Sequence, residues 1–489
     1  MTYLLREVRL PIGIRTTIVT ALFSLTVAES VGAQPLPANV LPSGVILTTG
    51  QSNQARARST SNVGCDPATT DCGWLQILLV DISDDNRADL CGFYGVAPRT
   101  TGGTARVHFG CLLASTNDLG TFTDGFREAL PLSSAAQALP PAALPHTRKI
   151  HAIDLSMDGK PDHVCLRMAD GVGCVKFGGG QFDQQLLRVL DNFSDRNGWH
   201  TPAHGETVGF SVLDGVPAAC GRGVAGVHCF KWNSSARLFS IPIEVQPSFA
   251  DRHGWNQRPY FSTLNYVDIN GDGHGDICGR GSAGIVCATY LPGANRFSDA
   301  TWWATQFRDA DGWSQTGFYE SLQFLDLNRD GKTDICGRGH HGLFCGVSNG
   351  QQFLYATNPT PATTEIRAGL GNALPSGEGA PFVLDIDRGQ VTPMPSYCER
   401  VRRSDGKFEI KCVRSKMAAG VVAMPSFCPL GQRALLNNSF RNIVMGRLTG
   451  RDGWNLCWID DNQRPGGYRG DVWCQRSLDM ASPTSPCGY

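Results

Sequence analysis

The chain has 489 residues, a formal net charge of −1, 18% charged residues, 57 Gly and 18 Cys. A net charge this close to zero argues against a nucleic-acid binder, which needs a basic face. No CxxC spacing occurs and no His is grouped with Cys at ligand spacing, which argues against zinc and leaves disulfides and an oxidising compartment.

At the N-terminus Arg6, Arg9 and Arg15 precede the apolar run Thr16–Val27, and Val31-Gly-Ala33 offers small residues for cleavage. Residues 1–33 therefore read as a signal peptide, since the apolar run is too short to span a bilayer. The expected location is secreted or periplasmic. Residues 34–74 form an N-terminal segment with one spare apolar run, Val45–Thr49.

From Leu75 onward one pattern recurs: an apolar strand, an Asp-rich turn, then a cysteine. In chain order, the first turn presents Asp81, Ser83, Asp85, Arg87 and Asp89, and the second presents Asp154, Ser156, Asp158, Lys160 and Asp162. The fourth presents Asp268, Asn270, Asp272, His274 and Asp276, and the fifth presents Asp326, Asn328, Asp330, Lys332 and Asp334. In each, oxygen side chains fall at loop positions 1, 3, 5 and 9, and the position-7 residue offers its backbone carbonyl. Such a set of hard oxygens suits calcium, whereas magnesium prefers to keep its waters. These are not EF-hands, because Gly279 and Gly337 stand where the closing Glu would be. Three further turns, beginning at Asp214, Asp385 and Arg447, keep the strand context but lose the ligands. The seven starts are 54 to 73 residues apart.

Each unit reads as four short strands with Gly-rich turns between them and no strong helical period. Seven such units predict an all-β fold, a seven-bladed β-propeller of four-stranded blades with calcium loops between the first two strands of four blades. The propeller covers 75–489. The seventh unit runs out after Gly470–Cys474, so Val45–Thr49 is expected to supply a ring-closing strand and remove two open edges.

One cysteine lies on the second strand and one on the third strand of every unit. The pairs are 91/111, 165/174, 220/229, 278/287, 336/345, 398/412 and 457/474, each centred on a turn-like segment. Residues equidistant from a hairpin tip face one another at a Cβ separation of about 4.5–5.5 Å, which a disulfide can bridge. Cys65 is expected to pair with Cys72, and Cys428 with Cys487.

Two other features recur. An Arg stands two residues after the second-strand cysteine, at 167, 222, 280 and 338, and Phe-x-Asp-x-x-Gly-Trp recurs at Phe193–Trp199, Phe249–Trp255 and Phe307–Trp313. The Arg side chains either ring one mouth and hold a ligand, or pair with Asp or stack on Trp inside the blade. The tryptophans are either sugar platforms or blade packing. Repetition in register favours the structural reading for both.

The loops and period resemble the FG-GAP/VCBS repeats of integrin-α-like seven-bladed propellers. The resemblance implies about four Ca2+ ions and a lectin- or adhesion-like role. The implied partner is a glycan or an extracellular protein, bound by a monomer not embedded in a membrane. It also implies that the calcium loops lie on one face and the second-to-third-strand hairpins on the other. Those hairpins are stiffened by cysteines and variable at their tips, which makes their face the expected place of recognition. No nucleophile motif is visible, so no catalytic residue is assigned. The alternative is an exported enzyme, such as a polysaccharide lyase or hydrolase, on the same ring.

Overall fold

The computed structural model describes residues 70–85, 87–98, 106–114, 126–129, 133, 150–326, 330–339 and 342–354, with a few side chains at the edges of these stretches excepted. It also describes the backbone of strands at 43–47, 54–59, 382–386, 394–402, 408–416, 426–429, 434–436, 440–446, 455–460 and 471–475. The signal-peptide reading, Asn328 and the ligand-poor turns of the sixth and seventh units lie outside the described residues.

Among the described residues the chain forms seven antiparallel sheets of four or five strands and one two-stranded ribbon. Six sheets follow chain order: sheet 1 over 70–128, sheet 2 over 151–190, sheet 3 over 209–242, sheet 4 over 265–304, sheet 5 over 323–354 and sheet 6 over 382–436. Sheet 7 joins the two ends of the chain. Its strands Phe440–Gly446, Asn455–Asp460 and Asp471–Gln475 are continued by Gln54–Ser59 and then by Ser43–Leu47. The adjoining strand is thus Gln54–Ser59, with Gln54 opposite Gln475 and Ala57 opposite Val472. The apolar run at Val45 lies one strand further out. The sequence QARARS gives no apolar signal, because two of its alternating positions are Arg.

The register places five of the predicted cysteine pairs face to face: Cys91 with Cys111, Cys165 with Cys174, Cys220 with Cys229, Cys278 with Cys287 and Cys336 with Cys345. All five are disulfides, with Cα atoms 4.0 to 4.2 Å apart. That spacing belongs to the closely spaced pairs of an antiparallel ladder. The backbone also sets Cys398 opposite Cys412 and Cys457 opposite Cys474. The side chains of those four, and of Cys65, Cys72, Cys428 and Cys487, lie outside the described residues. Five disulfides indicate an oxidising, extracellular environment. Among the described residues no helix is long and apolar enough to cross a membrane.

The apolar cores lie between consecutive sheets. Phe93 and Phe109 of sheet 1 pack with Val164 and Phe177 of sheet 2. Val172 of sheet 2 packs with Trp232 and Phe239 of sheet 3, and Leu213 and Val227 of sheet 3 pack with Ile277 of sheet 4 and with Tyr290 of the two-stranded ribbon. Ile285 and Trp303 of sheet 4 meet Ile335 and Phe353 of sheet 5. Each unit thus depends on its neighbours for burial, the nearest-neighbour energetics of repeat proteins.

Candidate functional site

The four Asp-rich loops join the first and second strands of sheets 1, 2, 4 and 5, as the sequence predicts. Their first Asp is held by the loop's own backbone: Asp268 accepts from the N–H groups of Gly271, Asp272 and Gly273 at 2.7, 3.2 and 2.8 Å. Asp154 accepts from Met157 and Gly159, and Asp326 from Asp330 and Gly331. Asp85, Asp158, Asp272 and Asp330 each accept from the residue two positions on, namely Arg87, Lys160, His274 and Lys332. The position-6 glycines Gly159, Gly273 and Gly331 have φ of 92, 82 and 82°, the left-handed region where a side chain is strained.

The ninth-position Asp goes inward. Asp89, Asp276 and Asp334 are fully buried. Asp276 accepts from Ile269 N–H on one oxygen and Tyr290 N–H on the other, at 3.1 and 2.8 Å. Asp89 likewise ties Ile82 and Ala114, and Asp334 accepts from Ser348. Asp162 keeps the first of these bonds, accepting from Leu155 N–H at 3.1 Å, but it is only half-buried and lies 2.6 Å from His163 Nδ1. Burial pushes the Asp276 carboxyl up to about 8; its two backbone hydrogen bonds offset part of that, while the charges of Asp272 and Asp268 add to it. Asp89 is pushed up to about 6, again chiefly by burial. Among the described residues, no three His, Cys, Asp or Glu side chains converge as a metal-binding group. In donor chemistry the set still fits a hard cation: the carboxylates, Ser or Asn oxygen and loop carbonyl are all oxygen ligands.

Sheet 3 replaces the loop by the turn Asp214-Gly215. There the Asp214 carboxylate accepts from Lys231 Nζ and from the Tyr290 hydroxyl of the two-stranded ribbon, both at 2.7 Å. Hydrogen bonds across the sheets occupy the carboxylate.

The recurrent Arg and the Phe-x-Asp-x-x-Gly-Trp connectors form one framework. Arg167 pairs with Asp195, Arg222 with Asp251 and Arg280 with Asp309. Arg222 and Arg280 are fully buried, and they also donate to the carbonyls of Ala203 and Pro259 in the preceding connector. Arg338 has its side chain outside the described residues. The connector Trp residues pack onto a glycine of the following sheet: Trp199 on Gly221, Trp255 on Gly279 and Trp313 on Gly337. Each is about 5 or 6% exposed, so these rings are blade packing and not open sugar platforms. One-turn helices, Pro202–Gly205, Arg258–Phe261 and Thr316–Tyr319, complete the connectors. They are too short to leave a helical period in the sequence.

Variation on this framework opens a cleft at sheet 4. It has a volume of about 320 Å³ and is lined by Ser248, His253 and Trp255 of the connector, Ser282 at the hairpin tip, and Thr301 and Trp302 of the outer strand. Trp302 is 52% exposed, the most exposed aromatic ring among the large apolar side chains described. It stands opposite Val286. Arg252 Nε donates to His253 Nε2 at 3.2 Å, leaving Nδ1 as the imidazole's donor. Tyr260, also on the wall, donates its hydroxyl to Asp309 at 2.5 Å; burial first, and then that carboxylate, raises its pKa. The cleft therefore offers an exposed indole face, neutral hydrogen-bonding groups and no lining carboxylate. It is lined by connector, hairpin and outer-strand residues, and its main aromatic was not singled out in the sequence.

No family model and no curated protein matches the chain. Among solved structures, the chain is similar to a lectin from Agrocybe aegerita described as recognising non-reducing terminal N-acetylglucosamine, with a TM-score of 0.54 and 16% identity over 84% of this chain and 93% of the lectin. It also aligns with an exotype rhamnogalacturonan lyase (TM-score 0.38, 11% identity, 83% of this chain and 72% of the lyase). A rhamnogalacturonan lyase from Bacillus licheniformis aligns over the same shares, with a TM-score of 0.39 and 11% identity. At these identities the likeness to the lectin concerns the fold.

Proposed function

We propose that this chain is an exported, seven-bladed β-propeller that binds glycans, free or on an extracellular protein, through the Trp302 cleft. The observation that carries the reading is Trp302 itself: a half-exposed indole on a rigid outer strand, flanked by Ser248, His253, Ser282 and Thr301. A pyranose presents an apolar C–H face and a rim of hydroxyls. An aromatic platform with neutral donors and acceptors around it matches both parts. The terminal N-acetylglucosamine bound by the Agrocybe aegerita lectin is the natural first sugar to try.

Calcium completes the reading as a structural component. Asp268, Asn270, Asp272, the His274 carbonyl and Asp276 would hold an ion in unit 4, with the corresponding residues in units 1, 2 and 5. A bound ion would supply the positive charge that offsets several closely spaced carboxylates.

Binding is the reading that the Trp302 cleft supports, because its lining joins an exposed indole to hydroxyl and imidazole groups; the enzyme alternative stays open to the same experiment. The deciding experiment is a glycan array probed with the wild-type chain and with Trp302→Ala, with and without chelator. Specific signals lost in the variant support the reading. Absence of any wild-type signal, or release of oligosaccharide products from a polysaccharide panel, would turn it toward the enzyme alternative.

A further inference from the structure

A second cleft, of about 600 Å³, lies between sheets 2 and 3. Its floor includes Phe230 and Leu238, and its rim carries Arg188 with Asp170 and Arg196 with Asp191. The Phe230 ring is fixed edge-on against the buried Phe193, with centroids 5.7 Å apart. Leu238 is 40% exposed, an apolar surface presented to solvent.

The repeat ties this cleft to the first. Gly171 and Gly284 occupy the same hairpin position, each so close to the outer strand that an added Cβ would lie 2.0 Å from the carbonyl oxygen of Leu190 or Ala304. Two residues on, Gly173 faces Arg188 in sheet 2 and Val286 faces Trp302 in sheet 4. Arg188 therefore stands where Trp302 stands. One scaffold position carries a stacking ring in one unit and a hydrogen-bonding fork in another.

We propose that the Arg188 cleft is a second saccharide site, for an internal stretch of uncharged oligosaccharide. Each rim pair sets a guanidinium donor beside a carboxylate acceptor. Neighbouring sugar hydroxyls, each both donor and acceptor, can meet such a pair with two charge-assisted hydrogen bonds. Two pairs flanking an apolar floor fit hydroxyl rims and C–H faces repeated along a chain. The near-balance of two Arg against two Asp disfavours a polyanion. The volume, close to twice that of the Trp302 cleft, suits a short oligosaccharide better than one terminal sugar. This site shares with the Trp302 reading only the saccharide class, and the two can fail separately.

The test is calorimetric titration of the full chain with chitotetraose, cellotetraose and mannotetraose, with tetragalacturonate as the charged comparison. Arg188 and Arg196 have side chains 70% and 71% exposed, so Arg188→Gln/Arg196→Gln should retain the wild-type melting temperature. Leu238→Asp, which changes the floor, is the second variant. At least one neutral tetrasaccharide is expected to bind Trp302→Ala, and to bind about tenfold or more weakly once the Arg pair or Leu238 is changed. Loss of all oligosaccharide binding in Trp302→Ala would remove the second site and leave the first. Wild-type affinity in both cleft variants, or binding of tetragalacturonate alone, would also overturn it.

Discussion

The indole of Trp255 fills the space that a side chain on Gly279 would need: a Cβ there would lie 2.8 Å from Cζ3 of the ring. The connector from sheet 3 is pressed onto the second strand of sheet 4 at that point. Gly279→Ala should overpack this contact and destabilise the fold by about 1–3 kcal/mol. Denaturant unfolding monitored by Trp fluorescence checks it. An unchanged midpoint would show that the connector yields freely.

Arg280 is fully buried and its charge is met by Asp309 at 2.6 Å, with Tyr260 closing the carboxylate's other oxygen. Asp309→Ala leaves a buried cation without its partner and should cost about 3–5 kcal/mol. Tyr260→Phe removes one hydrogen bond to a charged group and should cost about 1.5–3 kcal/mol. The double variant should be less destabilised than the sum, because both changes act on one network. Additive losses would contradict the coupling.

Glu128 supplies an acid-sensitive contact in sheet 1. Burial raises its pKa, but the hydrogen bonds from His108 and Ser133 outweigh it and hold the carboxyl below its ordinary value. Its folded pKa being depressed, its contribution is present above the unfolded value of 4.5 and is lost as pH falls through the folded one. Melting temperatures from pH 6 to about pH 3 should fall less steeply in Glu128→Gln than in wild type. Parallel curves would show that the pair contributes nothing to acid unfolding.

Calcium should stabilise the chain by mass action, since the open loops bind it weakly. Metal analysis of purified protein should give about four ions per chain, and chelation should lower the melting temperature. Asp276→Asn should reduce the chelator effect without abolishing it, because three other loops remain. A metal content of one ion or fewer would remove calcium from the account.

The sequence alone determined the strand–loop–strand placement of the four Asp-rich turns and the five cysteine pairs from Cys91–Cys111 to Cys336–Cys345. These follow from local geometry: residues equidistant from a hairpin tip must face each other, and Gly at position 6 marks a left-handed turn. The inward course of Asp276 was not legible, because burial of a loop carboxylate depends on the N–H of Tyr290 in the two-stranded ribbon that follows the third strand, which only the folded unit delivers. Nor could the dipeptide Trp302-Trp303 be resolved from sequence. Alternation sends one ring in and the other out, and which one is set by the irregular register between Ile285 and Val286 and by contact with Phe353 of the next sheet. Trp303 is buried at 4% exposure and Trp302 is left open at 52%. Strand chemistry supplied two aromatic faces, and packing between neighbouring sheets decided which one meets solvent.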